Sequence, residues 1–146
     1  MLRKTIAATC FALAAVAAAA AATGDPIAER QKILKSFGNA TKPIGGMLKG
    51  QEAFDLATVQ TALKTYIDGT KILPGLFPDD SKTGGKTEAL PRIWEEKPRF
   101  DAIYTKLGSD AAAASAAITD EASFKANMGK VLGNCKACHD DFREKK

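Results

Sequence analysis

A chain of 146 residues with one histidine, one tryptophan, two tyrosines and three cysteines has few residues from which to build a reactive site. Each scarcity closes off a chemistry. A structural zinc centre takes about four ligands, and His139 with the two thiols beside it, Cys135 and Cys138, falls short of that number. The third thiol, Cys10, lies in an N-terminal leader, so a disulfide would have only Cys135 and Cys138 to join. A bridge between residues three apart on a helix is geometrically awkward. No segment alternates apolar and polar residues between turn signals, so the sequence offers no half-buried strands.

What is present begins with that leader. Met1-Leu2-Arg3-Lys4 is a short basic region, Thr5 to about Val16 is apolar, and Ala17 to Ala22 offers several A-x-A cleavage sites. This is the pattern of a secretory signal peptide over residues 1–22. A membrane anchor would need about twenty strongly apolar residues, for which the alanine-rich stretch is marginal. Apolar sequence follows Cys10, which argues against a lipid-anchored cysteine, and the residue is expected to leave with the leader. Removing Arg3 and Lys4 leaves 19 basic residues against 17 acidic ones, so the formal charge of +4 drops to +2. The pI near 9.0 therefore describes the precursor, and it implies neither a nucleic-acid partner nor an anionic membrane. Residues 23–146 make one domain's worth of chain.

That domain reads as helices. Asp25-Pro26 is a helix start, with an N-cap followed by proline at the first helical position. Ile27, Arg30, Leu34 and Phe37 follow at threes and fours. Gly38, Pro43, Gly45 and Gly46 predict a kink or an early stop. A second helix is expected from Asp55 to Leu73, striped by Leu56, Val59, Leu63 and Tyr66, with Pro74-Gly75 ending it. The irregular stretch from Pro74 to about Lys97 packs back through Leu76, Phe77, Ile93 and Trp94. A third helix should open near Pro98 and carry Phe100, Ile103, Leu107, Ala111, Ala114 and Ile118. The fourth, capped by Thr119 or Asp120, carries Phe124, Met128, Val131, Cys135, Cys138 and Phe142 at 4-3-4-3-4 spacing. Four such segments predict an all-α fold, an antiparallel up-and-down four-helix bundle.

The last helix ends in Cys135-Lys136-Ala137-Cys138-His139. C-x-x-C-H is the attachment signature of a c-type haem. Two thiols three apart share a helical face, so both can add to the vinyl groups along one porphyrin edge. The imidazole of the next residue can ligate the iron. A thioredoxin-type pair would need a preceding strand and a βαβ context, neither of which the sequence offers. Export agrees with haem attachment, which in bacteria takes place outside the cytoplasmic membrane, and points to the periplasm. Because Cys135 and Cys138 share the seam with Phe124, Met128 and Val131, the haem is expected in the core of the bundle.

Together these residues resemble the cytochromes c′ and their class II relatives. The likeness spans the mature chain and rests on Arg30-Gln31 with Leu34, on Leu76-Phe77-Pro78, on Pro91-x-Ile93-Trp94, and on the run from Cys135 to Arg143. Its most discriminating part is the haem motif at the C-terminal end of a four-helix bundle. The resemblance implies one covalent haem c, with Arg30 and Gln31 at the haem and its propionates and Glu88 at a polar haem contact. It also implies that Arg143 lies near the free imidazole nitrogen of His139, where a cation would tune the iron. Low-spin members of the family place a methionine ligand in the first helix, whereas cytochromes c′ have an apolar residue there and a five-coordinate iron. Leu34 stands at that position, and leucine cannot ligate iron. Met47, thirteen positions on, would be roughly 20 Å along a continuous helix, and Met128 shares the haem-bearing helix, where it is expected on the proximal side or edge. Met47, a lysine or a tyrosine is the alternative sixth ligand.

The resemblance leaves two functions open. One is electron transfer to periplasmic redox partners. The other is binding of nitric oxide or carbon monoxide at an open distal face under Leu34. An enzyme is the weaker reading, because no second histidine exists to activate peroxide or oxygen. Family members are often homodimers through the first two helices.

Overall fold

The computed structural model of the protein describes residues 24–145. The leader expected at residues 1–22, with Cys10, lies outside the described residues. Five helices follow: α1 (Pro26–Leu48), α2 (Leu56–Ile72), a single turn α3 (Arg92–Glu95), α4 (Lys97–Ala117) and α5 (Glu121–Phe142). The four long ones form the all-α bundle that their apolar stripes require.

Asp25, Asp55 and Asp120 begin α1, α2 and α5, each carboxylate accepting a hydrogen bond from a backbone N–H that the first helical turn leaves unpaired. At α5 the cap is reciprocal, because the Ser123 hydroxyl also accepts from the Asp120 N–H at 3.0 Å. The helix α2 runs into a 3₁₀ turn, Leu73–Leu76, where Pro74 and Gly75 end it.

The predicted early stop of α1 does not occur. The helix continues through Pro43 to Leu48, and the Lys49 N–H closes it on the Gly45 carbonyl at 3.2 Å. An interior proline costs about 3 kcal/mol. Ile44 and Met47, beyond it, are 0% and 5% exposed, and burying two such side chains returns about 3–6 kcal/mol. Burial outweighs the break.

The packing order is α1 on α2, α2 on α4, and α4 on α5. Glycine sets two of the contacts. A Cβ on Gly69 would lie 2.3 Å from the Phe37 ring of α1, and one on Gly108 would lie 2.7 Å from Thr70 Oγ1 of α2. The core includes Val59, Leu63 and Tyr66 of α2, Phe100 and Leu107 of α4, and Phe124, Met128 and Val131 of α5. On α4 the register differs slightly from the expected stripe: Tyr104 is buried where Ile103 was anticipated, and Ile103 is half-buried. The helices α1 and α5 pack on their neighbours rather than on each other. The interval between them is the site.

Candidate haem-binding site

A cavity of about 920 Å³ occupies that interval. The helix α5 lines it with Asn134, Cys135, Cys138, His139 and Phe142. The helix α4 contributes Phe100, Ile103, Tyr104 and Leu107, and α1 contributes Arg30, Gln31, Leu34, Phe37, Gly38 and Thr41. The connection before α3 closes one end with Lys86, Thr87, Glu88 and Ala89. The lining is mainly apolar, and Phe100 makes edge-to-face contacts with Phe77 at 4.7 Å, Tyr104 at 5.1 Å and Phe142 at 5.3 Å.

Cys135 and Cys138 are free thiols, half-buried, one turn apart on the cavity wall. Burial raises the Cys135 pKa and pushes that of Cys138 up to about 11, with the neighbouring Cys135 adding to the second shift. Both are therefore held as uncharged thiols at neutral pH, unlike the low-pKa thiolate of an exchange nucleophile. His139 is displaced downward, first by desolvation of its ring and then by the Arg143 guanidinium, against the opposing charges of Asp140 and Glu88. A neutral imidazole keeps the lone pair that a metal needs. Arg143 Nη1 lies 3.4 Å from the ring Nε2, one turn along the chain.

Arg30 is 2% exposed. It donates to the Leu76 carbonyl at 3.0 Å, to Ser81 Oγ at 2.8 Å, to the Ser81 carbonyl at 3.0 Å and to Thr87 Oγ1 at 3.1 Å, and its guanidinium stands 4.6 Å from the Phe77 ring centre. All of these partners are neutral. Burial lowers its pKa, so the wall holds a desolvated cation that an anionic substituent in the cavity would complement. Gln31 Nε2 donates to the Lys86 carbonyl at 2.7 Å. Glu88 is half-buried, and its carbonyl accepts from the Glu144 N–H at 2.9 Å while the Phe142 carbonyl accepts from the Leu90 N–H at 3.1 Å. This antiparallel bridge ties the connection to the end of α5.

Leu34 lines the cavity with 38% of its surface exposed, and of the three large apolar side chains exposed among the described residues it alone is in the lining. Met128 does not reach the cavity. The expected proximal contact is replaced by complete burial in the core, two turns before Cys135, because its face of α5 is turned onto the bundle. Met47 is likewise a core residue and no part of the lining.

Three features were not read from the sequence. Tyr104 stands in the wall, its phenol held protonated by burial. Asn134, next to Cys135, donates to the Asp110 carboxylate at 2.9 Å, and both are buried. Ser81 and Thr87 receive Arg30. A signal existed only for the second, because Asp110 and Asn134 each fall three residues after a core position, Leu107 and Val131.

The donor set fits a covalent haem: two thiols one turn apart, an adjoining neutral imidazole, an apolar enclosure and a buried cation for an acidic substituent. Fold and site together define a c-type haem protein built on a helical bundle. The comparisons with known proteins agree. The family model described as Cytochrome C' matches residues 25–143. A cytochrome c' of Rhodopseudomonas palustris is 60% identical over 127 residues, 87% of this chain and 87% of that protein. A solved structure of cytochrome c' from Rhodopseudomonas palustris superposes with a TM-score of 0.82, covering 84% of this chain and 98% of that one. A cytochrome c-556 of the same organism is 34% identical over 149 residues, 99% of each chain. The chain belongs to the cytochrome c′ family, and like other members it carries covalently attached haem c.

Proposed function

We propose that this protein is a periplasmic electron carrier whose haem is joined through Cys135 and Cys138, ligated by His139, and left five-coordinate beneath Leu34. One observation carries the reading: the cavity that gathers the two thiols and the imidazole has Leu34 in its wall and, among the described residues, no methionine and no other histidine. When bound, haem supplies a one-electron couple.

The chain's own residues do the rest. His139 offers a lone pair because desolvation and Arg143 disfavour its protonated form. Arg30 and Gln31 fasten α1 to the connection between Leu76 and Thr87, which fixes one end of the enclosure. Phe100, Phe142 and Leu107 keep water away, and a rigid, dry surround limits reorganisation when charge changes. Burial keeps the Tyr104 phenol protonated in the cavity wall.

A second reading is favoured by Leu34 itself. An apolar lid excludes anions and water yet can move for a diatomic gas, so nitric oxide or carbon monoxide has a route to the open face. Stopped-flow mixing of the reduced protein with carbon monoxide, set beside its electron exchange with external donors, separates the two. Rapid electron exchange with slow, weak gas binding supports the carrier, and the reverse supports the gas binder. Export rests on the leader at 1–22, and N-terminal sequencing of the mature protein should begin just after the Ala17–Ala22 run. Mass spectrometry of peptides spanning Cys135 and Cys138 tests the attachment, and haem that dissociates in acidified organic solvent would refute it.

A further inference from the structure

Positive charge is distributed unevenly over this bundle. Within α2, α4 and α5 every lysine and arginine has a carboxylate partner, as Lys106 and Lys130 do in Asp110 at 2.5 and 3.1 Å. Along α1 the pattern reverses. Lys35, Lys42 and the capping Lys49 have no ion-pair partner among the described residues, and neither does Lys86. None of the paired cations lines the cavity, whereas Lys42, Lys49 and Lys86 do.

Geometry makes these residues one surface. Lys35, Lys42 and Lys49 recur every seven residues, a single helical face with steps of about 10 Å. The bond from Gln31 to the Lys86 carbonyl, 2.7 Å, holds Lys86 beside the same helix. Like charges about one Debye length apart repel and stabilise nothing within the fold. Their placement at the cavity opening is where charge would steer an encounter. A second copy meeting this face about a two-fold axis would set lysines against lysines. A carboxylate-rich partner would find each of them free to pair.

We propose that the lysine rim formed by Lys42, Lys49 and Lys86, continued along α1 by Lys35, is the docking surface for a redox protein with an acidic face. The proposal rests on the electron-transfer reading of the haem site. The partner reaches the haem past lining lysines that have no carboxylate partner among the described residues.

The test measures electron transfer to the oxidised holoprotein by stopped flow, with a reduced acidic [2Fe–2S] ferredoxin as the protein donor and hexaammineruthenium(II) as a cationic control. With the ferredoxin the rate should fall about tenfold as salt is raised from low to physiological strength and above, and with hexaammineruthenium it should rise. The K42E/K49E/K86E variant should lose roughly tenfold or more of the low-salt ferredoxin rate. The K64E/K71E/K125E variant, with the same charge change on paired lysines elsewhere, should behave as the parent. An unchanged haem spectrum in both variants certifies folding. Equal losses in the two variants, or a ferredoxin rate indifferent to salt alongside fast exchange with hexaammineruthenium, would overturn the docking surface and leave the carrier reading intact. Slow exchange with both donors would overturn both.

Discussion

Asn134 donates a 2.9 Å hydrogen bond to the carboxylate of Asp110 one residue before Cys135, so the haem motif begins at a buried polar tie between α5 and α4. Lys106 and Lys130 complete the cluster around Asp110. The hydrogen bonds from Lys106 and then Asn134 hold this carboxyl well below the ordinary carboxylate range.

A depressed folded pKa gives a definite sign. The unfolded chain binds the proton more tightly, so the stabilisation by Asp110 is fully present above the unfolded value of about 3.9 and disappears as pH falls through the lower folded value. Asp110→Ala should therefore be less stable than the parent at pH 7, with the gap closing in strong acid. Asn134→Ala should cost about 1.5–3 kcal/mol at pH 7, the worth of a bond to a charged acceptor. Denaturant titrations across the acid range check both, and a gap that widens in acid would contradict the assignment.

Arg30 is a structural clamp as well as part of the cavity wall. Removing it leaves the Leu76 and Ser81 carbonyls and the Thr87 hydroxyl without their donor. Arg30→Ala should lower stability by about 2–4 kcal/mol, and Arg30→Lys should recover little of it, because an ammonium cannot reproduce the planar fork. Hydrogen exchange should locate the loosening between Leu76 and Thr87 rather than in α2 or α4.

Leu34 and Met47 make a matched pair of substitutions. Leu34→Met places a thioether in the cavity wall and should move the absorption spectrum towards six-coordination. Met47→Leu changes a core residue outside the cavity, so it should leave the spectrum as it was and cost less than about 1.5 kcal/mol. A spectral change in the second variant and none in the first would reverse the assignment of the distal face.

Much of this molecule is legible in its sequence, for reasons that are local. Capping aspartates and three-four stripes fixed the helix ends and inner faces because both act within one or two turns. The haem motif is a short contiguous run, whereas the position of Leu34, four residues after Arg30, was given by the resemblance to the cytochromes c′. What escaped depends on contacts across the bundle. The persistence of α1 past Pro43 depends on what Ile44 and Met47 are buried against. The four bonds of Arg30 reach residues 46 to 57 positions away, and the bridge between Ala89 and Arg143 joins segments that share no pattern. Met128 was misplaced because a stripe identifies the inner face of a helix without saying whether a given turn meets core or cavity.

The central claim, an iron held by His139 alone among side chains, is tested most directly by the absorption spectrum of the purified holoprotein in both oxidation states. The account expects a high-spin spectrum in each, abolished in favour of six-coordination by Leu34→Met. A low-spin ferric spectrum carrying a methionine-to-iron charge-transfer band would contradict it.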